Sequence, residues 1–150
     1  MVAALSLMVT ALTICVNWQL KKYEVTFLHK RQGLGELLAA FRKVLALALR
    51  HVTPREMEDG YTDVDNAVYG LLPFLPKSDH NWLIDRSNEI ELLLDHIWEG
   101  QETLSTSPFS AQYGDYEEKV AALRIDLFSK LFSGWFRRLL GWFGKLLRRG

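Results

Sequence analysis

LFSKLFSGWFRRLLGWFGKLLRRG spans residues 127–150. Stepped at about 100° per residue from Phe128, it sorts into two faces. Leu131, Phe132, Trp135, Phe136, Leu139, Leu140, Trp142, Phe143, Leu146 and Leu147 fall on one arc about 180° wide. Lys130, Arg137, Arg138, Lys145 and Arg148 fall opposite, among Gly134, Gly141 and Gly144, with Arg149 at the border. No acidic residue follows Asp126, so the charge from Lys130 onward is +6. An aromatic-rich apolar face backed by a cationic one is the pattern of a helix lying in a membrane interface, and the charge suits anionic lipid headgroups. Its three glycines each cost about 1 kcal/mol against alanine, so the segment needs a surface to fold against. Packing on a protein partner, or on the chain's own domain, competes with this reading. Nucleic acid does not suit it, because a bulky apolar face has no role against phosphates.

Upstream, the charge is unevenly distributed. Residues 1–55 carry +6, residues 56–118 carry −13 and residues 119–150 carry +7, which cancel over the 150-residue chain. Basic ends around an acidic middle imply two membrane-proximal ends and a middle facing water; simple neutralisation within one fold is the alternative. The length fits one domain with a modest core. A single cysteine, Cys15, excludes an intrachain disulfide framework and cysteine-rich zinc sites.

The other end of the chain is also apolar. Residues 2–20 hold no charged side chain. About 20 apolar residues cross a bilayer, so this run sits near the lower limit for a span. Trp18 and Tyr23 stand where an aromatic belt belongs, and Lys21 and Lys22 mark the water side. The expectation is a single transmembrane anchor over residues 1–22, with the N-terminus outside and the body cytoplasmic. A cleaved signal peptide lacks its basic n-region here. A lipoprotein box ending at Cys15 has a bulky Ile14 where a small residue belongs. A buried core helix is the remaining alternative.

Residues 23–126 read as a small helical bundle with an acidic middle. Tyr23, Val25 and Phe27 alternate as a strand would, but without a breaker before Gly33 continued helix is expected. Gly33 and Gly35 then punctuate the chain. Residues 36–52 form a helix with Leu34, Leu37, Leu38, Phe41, Leu45, Ala48, Leu49 and Val52 on one face. Thr53, Pro54 and Glu56 spell a capping box with proline at the first helical position. Asp59 and Gly60 end that helix after a short run, and a second one, capped by Thr62, runs from Asp63 to Leu72 before Pro73. Residues 71–76, LLPFLP, read as an extended connector. Ser78 opens a helix to Glu99, with a possible kink at Ser87 and Asn88 and an inward face of Trp82, Leu83, Ile90, Leu93, Leu94, Ile97 and Trp98. Residues 101–114 read as a loop, and Asp115 opens a last helix that carries Val120, Leu123 and Leu127 inward and can run on into the basic terminal stretch.

No catalytic or cofactor motif stands out. Asp59, Asp63 and Asp65 do not match an alternating-ligand calcium loop. Glu91 and Asp95 share a helix face, and His80, Asp85 and His96 lie nearby, but no other helix supplies the second half of a carboxylate-bridged site. Those residues read as solvated or packing groups. Gly33-Leu34-Gly35 is an isolated GxG without a strand before it. The fold class implied is all-α: one transmembrane helix, a small bundle, and a basic amphipathic helix. The function implied is non-enzymatic, a membrane-anchored interaction or regulatory protein, such as an accessory subunit held on the cytoplasmic face by two contacts. Its expected partners are anionic lipid headgroups and a protein with a basic surface, without metal, cofactor, nucleic acid or small-molecule substrate. The expected membrane-contact residues are Trp18, Lys21, Lys22, Lys130, Trp135, Phe136, Arg137, Arg138, Trp142, Phe143, Lys145, Arg148 and Arg149. A small membrane-active effector, toxin-like or holin-like, working through the terminal helix is the alternative.

Overall fold

A computed structural model describes the backbone of residues 2–50, 52–100 and 108–147, and the side chains of residues 13–50, 52–100 and 111–132. The described residues form four α-helices, α1 (Val2–Ala48), α2 (Pro54–Leu71), α3 (His80–Gly100) and α4 (Pro108–Leu147), with two short 3-10 turns, Leu72–Phe74 and Lys77–Asp79, between α2 and α3. The chain divides into two units, residues 1–32 and residues 33–150.

The first unit is the N-terminal two-thirds of α1. Its described side chains from Thr13 onward are almost all exposed, apolar ones included. Among the described residues no helix is long and apolar enough to cross a membrane. The expected span over residues 1–22 has no support from them; the side chains of residues 1–12, most of its apolar run, lie outside them.

The second unit is a bundle. Leu34, Leu37, Phe41, Val44 and Ala48 of α1 join Met57, Val64, Val68 and Leu71 of α2, Leu83, Ile90, Leu94 and Ile97 of α3, and Tyr116, Leu123, Leu127 and Leu131 of α4 in one core. Each set follows helical spacing, so the hydrophobic stripe of every helix faces the same interior. Residue pairs fix the directions. Lys43 meets Asp63 across α1 and α2, Tyr61 meets Asp95 across α2 and α3, and Lys119 and Lys130 meet Glu89 and Asp79 across α4 and the α3 region. Successive helices are therefore antiparallel. Trp98 Nε1 donates to the Val52 carbonyl at 3.2 Å, pinning the α1–α2 connection to the C-terminal end of α3.

Local chemistry explains most element boundaries. At the start of α2 the expected capping box is complete. The Glu56 amide donates to Thr53 Oγ1 at 3.4 Å, and the Thr53 amide donates to Glu56 Oε2 at 2.8 Å. The bond from the Thr53 amide, then that from its hydroxyl, hold the Glu56 carboxyl below its usual range.

Several boundaries differ from expectation, and at Gly33 and Gly60 close packing is the reason. α1 passes straight through Gly33 and Gly35. A Cβ on Gly33 would lie 2.8 Å from Leu71 Cδ2, so this glycine lets the end of α2 approach. α2 passes through Asp59 and Gly60 as one helix instead of two. Gly60 is buried against α1, where a Cβ would lie 3.0 Å from Leu47 Cδ1 and 3.1 Å from Val44 Cγ2. The LLPFLP connector is wound into a 3-10 turn before Leu75 becomes extended, and Leu71 and Leu75 are both buried. α3 continues through Ser87 and Asn88. α4 begins at Pro108, not Asp115, and runs unbroken into the basic terminal stretch; the rest of the expected loop, residues 101–107, lies outside the described residues.

Candidate functional site

The helix directions put two positions at the same end of the bundle. Gly33, where α1 joins the second unit, lies at Leu71, the end of α2. Lys130 of α4 lies at Asp79 and Trp82, the start of α3. The 3-10 turns that link Leu71 to Asp79 belong to this end as well.

The expected membrane-contact residues fall into three groups. Trp18, Lys21 and Lys22 are exposed on α1, with Lys22 Nζ 5.5 Å from the centre of the Trp18 ring. Lys130 is drawn onto the bundle. Its Nζ donates to Asp79 Oδ1 at 2.8 Å and lies 4.7 Å from the centre of the Trp82 ring, with side-chain exposures of 31% for Lys130 and 21% for Asp79. The side chains of Trp135, Phe136, Arg137, Arg138, Trp142, Phe143 and Lys145, and the whole of Arg148 and Arg149, lie outside the described residues.

The start of the terminal stretch has a different role from the one its pattern suggests. Leu127, Leu131 and Phe132 are buried in the bundle core. Phe128 is exposed, its ring 4.6 Å from that of Phe132. The packing alternative, not the interfacial one, therefore applies to residues 127–132.

A second arrangement joins α2 and α3. The Tyr61 hydroxyl donates to Asp95 Oδ1 at 2.5 Å. One turn earlier on α3, Glu91 is half-buried and accepts from the buried Ser87 hydroxyl at 3.4 Å. Burial, the facing Asp65 carboxylate and the nearby Asp95 push Glu91 up to about 7, against the weaker opposing effect of the Ser87 bond. Burial and then the Asp95 bond hold the Tyr61 phenol well above its ordinary range. Asp63 pairs with Lys43 instead of joining Asp59 and Asp65. His80 Nε2 sits 3.3 Å from the Leu75 carbonyl, and His96 is exposed. No group of three or more His, Cys, Asp or Glu among the described residues is placed to hold a metal ion.

Sequence reading pairs Glu91 with Asp95 but misses Tyr61 and Asp65 as their partners. Treating Gly60 as a stop assigns Tyr61 and Asp65 to different segments. The signal was present: Met57, Gly60, Val64, Val68 and Leu71 keep one helical stripe through the whole of α2.

The pH dependence of the cluster follows from its geometry. Glu91 takes up a proton near pH 7 in the folded chain, whereas its ordinary value is 4.5. The folded state is therefore penalised once Glu91 ionises, and the penalty disappears as pH falls through 7 toward 4.5. Glu91→Gln removes it. Because the side chain is only half-buried, solvent screening reduces the effect to about 1 kcal/mol. The variant is expected to be more stable than the parent at pH 8 and indistinguishable from it at about pH 4.5, read as paired urea midpoints.

No protein-family model, curated protein or solved structure matches the chain. Fold and geometry together define an all-α helical bundle.

Proposed function

We propose that the protein is a non-enzymatic, membrane-attached interaction or regulatory protein. Two contacts hold it on the cytoplasmic face: an N-terminal span within residues 1–22 and the cationic end of α4. The observation that carries this reading is the exposed apolar band on α1. Ile14 is 63% exposed, Trp18 61%, Leu20 56%, Val25 52% and Leu28 53%. At helical spacing Ile14, Trp18, Val25 and Leu28 share one side, and Leu20 falls on the opposite side with the exposed Val16, Tyr23 and Phe27, and a helix apolar on more than one side needs lipid or protein around it.

Two further features support the reading. Within the second unit, Gly33 of α1 and Lys130 of α4 lie at the same end of the bundle. The acidic residues of the middle offer a water-facing region suited to a protein partner with a basic surface: Glu58, Asp59, Asp65, Asp85 and Glu99 are all exposed.

Membrane fractionation of cells making the full chain tests this. The chain is expected in the membrane pellet after high-salt and alkaline washes, and its body should become protease-sensitive only once the cell is opened. Release into the alkaline supernatant would sink the reading. Dye release from anionic vesicles at low protein-to-lipid ratio would replace it with the membrane-active effector.

A further inference from the structure

Within the first unit, the described side chains of α1 sort into two apolar stripes. Stepped at about 100° per residue, Ile14, Trp18, Val25 and Leu28 fall on one arc. Val16, Leu20, Tyr23 and Phe27 fall on a second, centred about 150° away. All eight are exposed. Gln19, Lys22 and Thr26 separate the stripes on one side, and Asn17 and Glu24 separate them on the other. Lys21 falls within the first stripe, and Glu24 flanks the second. Lipid does not account for both stripes. A helix lying in an interface immerses one side. A span ending at Lys21 and Lys22 leaves Tyr23, Val25, Phe27 and Leu28 beyond it, on both sides of the helix.

We propose that the partner of this segment is further copies of the same chain, aligned in parallel, with the first stripe of each helix packed on the second stripe of the next. Such a head-to-tail contact uses both stripes of every copy, and closure into a ring of three or more leaves neither bare. This adds to the membrane-attached reading above, which supplies the parallel alignment, and names the neighbours of residues 14–28.

Three observations carry the assignment. The stripes face nearly opposite directions, so any one neighbouring helix covers one and leaves the other in water. The segment is also short. Residues 14–28 make about two heptads, roughly 21 Å of helix, whereas a two-stranded coiled coil is sustained over about three or four. Using both stripes doubles the contact per copy. Charge then selects the pairing. The first stripe packed on itself sets Lys21 against Lys21 in parallel alignment. It does so in antiparallel alignment too, because Lys21 lies midway between Ile14 and Leu28. The first stripe packed on the second sets Lys21 beside Glu24 of the next copy, nearly one turn further along. The second stripe packed on itself avoids the lysine clash but leaves Ile14, Trp18, Val25 and Leu28 bare.

The test is cysteine cross-linking of the full chain, with Cys15→Ser throughout, in fractions of cells making it. Val25→Cys places a thiol on the first stripe and Tyr23→Cys one on the second. On mild oxidation, a chain carrying both is expected to give a ladder of dimers, trimers and larger products. The two thiols of one helix face apart, so each joins a different neighbour. Coexpressed single variants are expected to give the mixed dimer in excess over either like pair. Lys21→Glu and Glu24→Lys are each expected to cut the ladder about threefold, and the two together to restore it, with the far-ultraviolet spectrum unchanged throughout. A double-cysteine chain that stays monomeric, or that joins only other proteins, would overturn the proposal. So would dimers alone, formed as readily by Val25→Cys or Tyr23→Cys by itself, since those are two-fold pairs using one stripe. A ladder indifferent to Lys21→Glu and Glu24→Lys would overturn the pairing of Lys21 with Glu24. Membrane pellet and supernatant are read separately. A ladder found only in the supernatant would overturn membrane attachment and leave the assembly standing.

Discussion

Gly60→Val is expected to lower the unfolding free energy by about 2–3 kcal/mol, measured as a urea midpoint on the detergent-solubilised chain. The loss comes from one close approach. A Cβ at this position meets Leu47 Cδ1 at 3.0 Å and Val44 Cγ2 at 3.1 Å. The Leu47 methyl is the far end of a flexible side chain and can rotate away. The Val44 methyl sits on a β-branched side chain with one preferred rotamer in a helix, and it is fully buried, so it cannot. Valine adds two further methyls to the same space, forcing α2 away from α1. Gly60→Ala separates this from the backbone effect. Alanine gains about 1 kcal/mol of helix propensity and loses about as much to the single tight contact, so it is expected to be close to neutral. A valine variant as stable as the parent would mean that α1 and α2 do not meet at Gly60.

The same glycine marks where the sequence is legible and where it is not. Thr53, Pro54 and Glu56 predict the start of α2 because a capping box is local chemistry, complete within four residues. Gly60 misleads because a glycine that ends a helix and a glycine that admits a neighbouring helix are the same residue in sequence. Only α1 tells them apart. Gly33 misleads for the same reason, since its tight neighbour, Leu71, is far along the chain. The core stripes are more readable. Leu34, Leu37, Phe41, Leu45 and Ala48 are buried as their spacing predicts, and Ile90, Leu94 and Ile97 likewise. Ala40 and Val44 widen the α1 stripe, with Val44 facing Gly60 of α2, and Leu49 is left outside at the helix end.

The polar cluster was half legible. One helix supplies Glu91, Asp95 and Ser87 at spacings visible in sequence, but the raised pKa of Glu91 comes from burial and then from the opposing helix. Asp65 raises Glu91 across the α2–α3 seam, and Tyr61 reaches Asp95 from the same side. No periodicity within α3 reports either neighbour. The Glu91 carboxylate there opposes folding at high pH, while the Lys119 and Arg86 contacts hold Glu89 below its usual range on the other side of α3. Helix α3 therefore carries one acidic residue that its neighbours satisfy and one that they strain.

The terminal stretch poses the sharper case, because its amphipathic pattern begins inside the bundle. Its first turns belong to the bundle, and Leu127→Ala is expected to show it by costing about 2–5 kcal/mol of stability. Leu127 is fully buried and Leu131 is 1% exposed, so truncation leaves a cavity among the core side chains of four helices instead of a smoother lipid-facing surface. Phe128→Ala is the control: its ring is 54% exposed and makes its described ring contact with Phe132, so its loss costs about 1 kcal/mol. A helix lying in lipid from residue 127 onward predicts the reverse order, since there the larger aromatic would matter more and the smaller leucine hardly at all. Urea midpoints of the two variants in the same detergent decide it. Leu127→Ala as stable as the parent would return residues 127–132 to the interfacial reading.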